Sequence, residues 1–466
     1  MEILTVAEEA VPPGGGHEYL DYEFVVEGPM RHIDVRLRFH KVVDVFQLYA
    51  ALFDSTGAFR GHVQCPGEGG PRDQSFRVGR AEASLGCVAG DLPTGRWTAR
   101  IDFDRAKEPG WFELTITGEA AQGETPARTR PTANAPGVVN RTPGWYRGEL
   151  HCHSRHSDGR GTVEELVEAG AAAGLDFLAI SDHFTYSHWS ELTSRNERPP
   201  ALLRSIELTS HHGHINMHGL HDWVDVYVDR PDWSMNHVAD AVAAQGGLIG
   251  INHPYGGDLS WRRQDLEWSK VDVLEVWHLQ EHSNNVHTLG LWDRLLNLGY
   301  RPTGVAGSDC HDPQDPSQAL GQLVTWVHAA GLGEQDIIQG VRDGNVSVDA
   351  GAGLDVHLET DDGSIPMGAT YTLENHTPLH FNVTIRSERP AVLHCIRNGL
   401  LVATQPLPSD DAAVQMQFRD TPDGSAYYRF EVHQAPPHDD PRFVASCLRD
   451  HTTLLALSNP IFVEEP

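Results

Sequence analysis

The hydrophobic rhythm of the chain changes twice. From Tyr19 onward apolar and polar positions alternate in short runs: Tyr22 to Val26, Ile33 to Phe39, Gln47 to Phe53, Gly95 to Ile101 and Trp111 to Ile116. A period of two puts every second side chain on one face, so each run predicts a strand with one buried side. Gly, Pro and Asp separate the runs, and the pattern predicts an antiparallel β-sandwich over residues 17–118. Residues 1–16, ending in Pro12-Pro13-Gly14-Gly15-Gly16, read as disordered. Residues 119–143, rich in small residues and proline, read as a linker.

From Trp145 the rhythm becomes strand then helix. Thr162 with Glu165 makes a capping box, opening a helix that runs Val163 to Ala173 and stops at Gly174. Met235 to Gln245, Asn285 to Leu298 and Gln335 to Asp343 predict further helices. Between them, Leu175 to Ser181, Ala201 to Ser210, Leu248 to Pro254, Val271 to Trp277 and Thr303 to Gly307 predict buried strands. This alternation over residues 144–350 predicts a parallel α/β fold, with a barrel favoured. After Gly351 the helical signal stops. Runs at 355–359, 379–385, 392–396, 427–432 and 453–457 predict a second all-β unit over 351–466, immunoglobulin-like in size. The expectation is a multidomain chain with an α/β barrel between two β-sandwich units.

The chemistry concentrates in the middle unit. His151 and His153 lie two apart at a strand end and therefore project to one side. Asp158 follows in a Ser-Asp-Gly turn. His183, Glu207, His214, His253, Asp309 and His311 stand at or near the ends of other predicted strands. Catalytic groups of α/β barrels gather at the carboxyl ends of strands. Imidazole and carboxylate without thiolate suit Zn, Mn or Fe. Nine donors exceed one site, so two to three divalent ions are expected, with a carboxylate such as Glu207 able to bridge two.

The six cysteines form no C-x-x-C pair and no disulfide framework. Cys152 and Cys310 alternate with ligand-type residues, which turns their thiols away into packing. The formal net charge of −30 argues against a broad grip on nucleic acid or an anionic membrane. No apolar run approaches the roughly 20 residues that cross a bilayer. The N-terminus lacks a basic start followed by an apolar block, so a cytoplasmic location is expected.

Six motifs carry a family resemblance: His151-x-His153, Ser157-Asp158-Gly159, Ser181-Asp182-His183, Glu207 with Gly213-His214, Asn252-His253-Pro254, and Gly307-Ser308-Asp309-Cys310-His311. In this order the chain resembles the PHP (polymerase and histidinol phosphatase) superfamily of metal-dependent hydrolases, and within it the CehA/McbA-like subgroup. The resemblance covers roughly Tyr146 to Val348. It implies a distorted (β/α)7 barrel with a trinuclear site. His151, His153, Glu207 and Asp309 would hold the first ion. Glu207, His214 and His253 would hold the second, and Asp158, His183 and His311 the third. Ser205 stands where relatives often have Gly, and His211, His212 and His218 crowd the segment around His214, with His218 the fallback ligand. His188, His221, His278, His282 and His287 are left as surface or outer residues.

Such a site predicts a hydrolase working through a hydroxide held between two ions, with Glu207, Asp309 and His183 as its catalytic residues. The favoured substrate is a small phosphoester, contacted by Arg155, Arg160 and Tyr255. Tyr186 and Trp189 also follow ligand motifs and would wall the pocket or pack the core. Carbamate, amide or ester hydrolysis is the alternative, and a non-catalytic binding protein with structural metals the third reading. No basic stripe with interleaved aromatics supports a nuclease. The oligomeric state is left open, a homo-oligomer included.

Overall fold

The computed structural model describes residues 2–11, 18–40, 47–65, 73–104, 110–122, 136–192, 198–210, 212–280, 284–373, 377–387, 390–407, 413–434 and 454–466 of the 466. The chain is mostly β, arranged in several sheets with few helices.

Two four-stranded sheets form the N-terminal part. One orders Glu2–Val11, Gly110–Ala120, Met30–His40 and Asp73–Gly79; the other orders Glu18–Val26, Gly95–Asp104, Gln47–Phe53 and Phe59–Cys65. Phe24, Val26, Trp97 and Ile101 from one meet Ile33, Val35, Phe112 and Ile116 from the other in a shared core. Alternate residues of Glu18–Val26, Gly95–Asp104 and Gly110–Ala120 supply it, as the alternation predicts. The N-terminal segment corrects the expectation of disorder. Glu2–Val11 is an edge strand paired antiparallel along Gly110–Ala120, with a register shift between Ile3 and Thr5. Leu4 and Ala7 pack on the core, while Ile3 and Val6 face out. The Pro-Gly run at 12–16 lies outside the described residues, as do residues 123–135 of the expected linker. The far end of that linker is tied down: Val139 N donates to Leu332 O at 2.8 Å and Leu332 N donates to Asn140 O at 2.7 Å.

Seven central strands pair each with the next in chain order: Gly144–Cys152, Phe177–Ile180, Ala201–Leu208, His214–His218, Leu248–Asn252, Val273–His278 and Thr303–Gly307. The two ends of the run meet. Asp309 N donates to His151 O and His153 N donates to Cys310 O, each at 2.9 Å. The arrangement is not wholly parallel, because His214–His218 runs antiparallel to both neighbours. The short 209–213 connection has no room for a crossover helix, so the next strand must turn straight back. Among the described residues, the α-helices between 144 and 350 are Val163–Ala172, Trp189–Leu192, Met235–Ala244, Asn285–Asn297 and Glu334–Arg342. The first opens with the expected capping box.

On its other edge Gly144–Cys152 pairs with Val324–Ala329, which pairs with Val346–Asp349 and then with Leu454–Ser458. Ala426–Gln434, Ala391–Arg397 and Leu400–Pro406 follow. The central sheet therefore runs straight through the boundary expected at 350. A further four-stranded sheet, ordered Gly363–Pro366, Ala352–Thr360, Leu379–Ser387 and Val414–Asp420, closes over Phe381, Val383, Phe430 and Val432. No helix among the described residues is long and apolar enough to cross a membrane.

Candidate metal centre

Six central strands deliver the nine sequence-predicted donors to one rim. His151 is the penultimate residue of its strand, and His183, His253 and Asp309 follow theirs closely. His214 is the first residue of its strand rather than the last. Because that strand is antiparallel, its start lies beside the carboxyl ends of its neighbours, with His214 opposite Asn252. The turn carrying Asp158 folds back under His153, and a Cβ on Gly159 would sit 2.3 Å from His153 O. Asp182 fixes that turn by accepting from Ser154 N (2.7 Å), Ser154 Oγ (2.6 Å) and Ser157 Oγ (2.8 Å).

Glu207 lies at the centre, fully buried. Its Oε2 is 3.1 Å from His183 Nδ1, 3.2 Å from His153 Nε2 and 3.5 Å from His151 Nε2. Its Oε1 is 3.2 Å from His214 Nδ1 and 4.0 Å from His253 Nε2, and accepts from Asn252 Nδ2 at 2.8 Å. Asp309 Oδ1 is 3.0 Å from His153 Nε2 and 3.2 Å from His151 Nε2. Asp158 Oδ1 is 3.3 Å from His311 Nε2 and 3.4 Å from His183 Nε2. All nine fall into overlapping groups of three or four whose donor atoms lie within 4.8 Å of one another. Asp158, Asp309 and His311 are the partly exposed members and open the site to solvent.

The donor set fits divalent ions. Donors 2.0–2.2 Å from a tetrahedral ion stand roughly 3.3–3.6 Å apart, close to the separations found. Among the described residues, His151 Nε2, both nitrogens of His153, Glu207 Oε2 and His214 Nε2 are buried without an aligned hydrogen bond. Buried polar atoms are rarely left so unless another group completes them. His311 donates Nδ1–H to Asp309 O at 2.8 Å, which leaves its Nε2 as the atom facing Asp158. His253 and Asp309 hold φ of +24° and +52°, left-handed values that cost a non-glycine residue about 1–3 kcal/mol and collect at functional sites.

The electrostatics agree. Burial alone would raise the carboxyl of Glu207, but His151 and His183 hold it well below its ordinary range. Burial likewise opposes ionisation of Asp309, which His151 and His311 outweigh. Burial works against protonating His183 and His311, yet their carboxylate neighbours push them up to about 9 and about 10. His253 is pushed down to about 3 by burial and by His214.

Other expectations need adjusting. His278 is buried beside the site rather than at the surface, and together with Glu275 it forms a further donor group with His151. His188 is buried too, 3.1 Å from Asp182. His218 hydrogen-bonds Ser205 Oγ at 2.7 Å. His211 and His282 lie outside the described residues. Tyr186 and Trp189 belong to the core, whereas Tyr255 is exposed beside His287. Arg155 is exposed, and Arg160 pairs with Asp312 at 3.4 Å. Sequence reading missed Glu275. It also missed Glu149, which burial pushes up to about 7 and which accepts from His151 N and Ser308 N. For Glu275 the only signal was a lone carboxylate within the apolar run 273–277, and Glu149, in Tyr-Arg-Gly-Glu-Leu-His, had none.

No protein-family model matches the chain. A 97-residue stretch is 34% identical to the error-prone DNA polymerase of Nocardia farcinica, covering 16% of this chain and 8% of the polymerase. The chain is thus similar to a small part of that curated relative. Among solved structures, a two-domain protein of Bacteroides vulgatus containing a predicted PHP-like metal-dependent phosphoesterase matches at 16% identity and a TM-score of 0.39, covering 68% of this chain and 96% of that one. A Bifidobacterium adolescentis protein described as a metal-dependent phosphoesterase matches at 18% identity and TM-score 0.28, covering 42% and 94%. An amidohydrolase of Chromobacterium violaceum, with bound sulfate and no metal, matches at 17% identity and TM-score 0.26, covering 36% and 88%.

Proposed function

We propose that this chain is a PHP-type metallohydrolase acting on a small phosphoester. One observation carries the reading: nine imidazole and carboxylate donors, buried Glu207 among them, gather in overlapping groups, and several of their buried atoms have no hydrogen bond among the described residues. The seven central strands would form the distorted (β/α)7 barrel, closed between Cys152 and Cys310, within a domain of about residues 144–350. The β units at 17–118 and 351–466 would flank it. Two to three ions of Zn, Mn or Fe would be held by His151, His153, Glu207 and Asp309; by Glu207, His214 and His253; and by Asp158, His183 and His311. Bound ions lower the pKa of coordinated water to about 7 and neutralise charge developing on a phosphoryl group.

The chain's own residues do the rest. Glu207 spans two of the groups and keeps them in register. Asp309 and His311, at the open rim, face the incoming substrate. His183 stands between Glu207 and Asp158 and links the third group to the first two. Tyr255, Arg155 and Arg160 would contact substrate from the exposed rim. The protein would act in the cytoplasm on a small molecule.

A second reading, hydrolysis of an amide, carbamate or carboxylic ester, draws on one feature: Arg160 is 81% exposed and already faces Asp312, so it is not committed to phosphate. The test is Glu207→Ala with circular dichroism as the folding control. We expect loss of bound metal and of p-nitrophenyl phosphate hydrolysis by at least about 100-fold, as for removal of an essential catalytic group. Retained activity refutes the site. Wild-type activity confined to p-nitrophenyl acetate or an aryl carbamate selects the second reading.

A further inference from the structure

The strand Val273–His278 supplies none of the nine donors, yet Glu275 and His278 lie beside His151 closely enough to make another three-donor group. Two uses compete: a further ion site, or support for the ligands already there. The hydrogen bonds decide between them. His278 Nδ1 accepts the Gln280 N–H at 3.2 Å, so in the neutral ring Nε2 carries the proton and has no lone pair for an ion. Both Glu275 oxygens are engaged. Oε1 faces His151 Nδ1 at 3.0 Å, and Oε2 accepts the backbone N–H of His253 at 2.6 Å.

A carboxylate facing His151 Nδ1 keeps the proton on that nitrogen. The Nε2 lone pair is then directed at the space shared with Glu207 Oε2 (3.5 Å) and Asp309 Oδ1 (3.2 Å). We propose that Glu275 is a positioning residue of the metal centre, fixing the tautomer and ring plane of His151 and seating His253, and is not itself a ligand. The inference rests on the metal reading above. Gly307 carries the same geometry in its missing side chain. A Cβ there would fall 1.8 Å from Glu275 Oε1 and 3.0 Å from His151 Cβ. The glycine of the Gly-Ser-Asp-Cys-His motif is the gap through which Glu275 reaches His151.

The test is Glu275→Gln, which keeps the shape and inverts one hydrogen bond. The His253 N–H is a fixed donor, so the amide must turn its oxygen there and its NH2 toward His151. His151 Nδ1 then becomes the acceptor and Nε2 takes the proton, removing the lone pair an ion needs. Metal content is measured after equilibration against chelator-buffered Zn2+, and Co2+-loaded protein is compared by visible spectrum. We expect about a 10–100-fold loss of affinity at one ion position, the usual cost of losing such a partner, with an altered Co2+ spectrum. His278→Asn should keep the full ion count. Wild-type protein that binds no ion overturns the metal reading itself. Wild-type protein that binds ions, with Glu275→Gln equal in affinity and spectrum, overturns the role of Glu275 alone. Should the variant not fold, 15N-histidine NMR of Zn2+-loaded wild type decides: His151 protonated at Nδ1 with the ion on Nε2 supports the proposal, and His151 protonated at Nε2 with bare or ion-bound Nδ1 overturns it.

Discussion

Glu207 is buried among five imidazoles, two facing Oε1 and three facing Oε2. Its charge, and those of Asp158 and Asp309, make the ion-free site a proton store. His183 and His311, raised to about 9 and about 10, are protonated at neutral pH before an ion arrives. The sign follows. Their folded values lie above the ordinary histidine value of about 6.5, so proton binding stabilises the ion-free fold below that value, and this contribution is lost as pH rises through 9 to 10. An ion must displace those protons. Metal affinity should therefore fall as pH drops from 9 to 6, by about tenfold per unit for each proton displaced. Calorimetry in two buffers of different ionisation enthalpy checks this, and a pH-independent affinity would contradict it. At this scale the nine donors were legible because they stand in short motifs with local logic, such as His151 and His153 two apart on a strand. Glu275 was not. In Val-Leu-Glu-Val-Trp a single Glu looks like the solvent face of a strand, and only burial of all six residues from Val273 to His278 reverses that.

The strands and helices that hold the site are locked by buried charges as well as by apolar packing. Arg429, on Ala426–Gln434, reaches Asp293 on the helix Asn285–Asn297 through two hydrogen bonds of 2.8 and 2.7 Å, and also pairs with Glu431. Its guanidinium lies over the Trp292 ring. Removing one partner of such a buried set leaves the other charges uncompensated, so Arg429→Ala should cost about 3–5 kcal/mol, read as a lower urea midpoint. A loss below about 1 kcal/mol, the range of surface ion pairs, would contradict the assignment. Element positions were largely readable from period. The misreadings have specific causes. Glu2–Val11 is acidic and precedes a Pro-Gly run, so nothing local reveals that its partner lies more than a hundred residues away at Gly110–Ala120. The reversal at His214–His218 depends on a short connection, which hydrophobic period does not encode.

At the scale of the molecule, the N-terminal sheets brace the site from outside. Tyr49 and His62 pack on Phe184, directly after the ligand-type His183, with ring centroids 5.0 and 4.9 Å apart. Phe59 stacks on Trp223 at 5.0 Å, and Thr185 Oγ1 donates to Gly86 O at 2.9 Å. Phe184 holds a φ of +63°, a strained backbone that packing on both sides sustains. Deleting residues 1–118 would expose Phe184, Trp223 and Tyr227 as one aromatic patch of the kind that drives aggregation. We expect the truncated protein to elute as aggregate in size-exclusion chromatography. A monodisperse product with full metal content would show that the sheets are dispensable. The composition of these regions suggested separate modules, and the continuity of the sheet past residue 350 was invisible because pairing between Val346–Asp349 and Leu454–Ser458 joins segments about a hundred residues apart.

The most direct measurement is the metal content of purified protein, paired with hydrolysis of p-nitrophenyl phosphate and bis-p-nitrophenyl phosphate before and after chelation. The account predicts two to three ions per chain and release of p-nitrophenol that disappears with the chelator and returns on reloading. One ion or none after reloading would contradict the reading of the nine gathered donors, Glu207 among them, as a multinuclear centre.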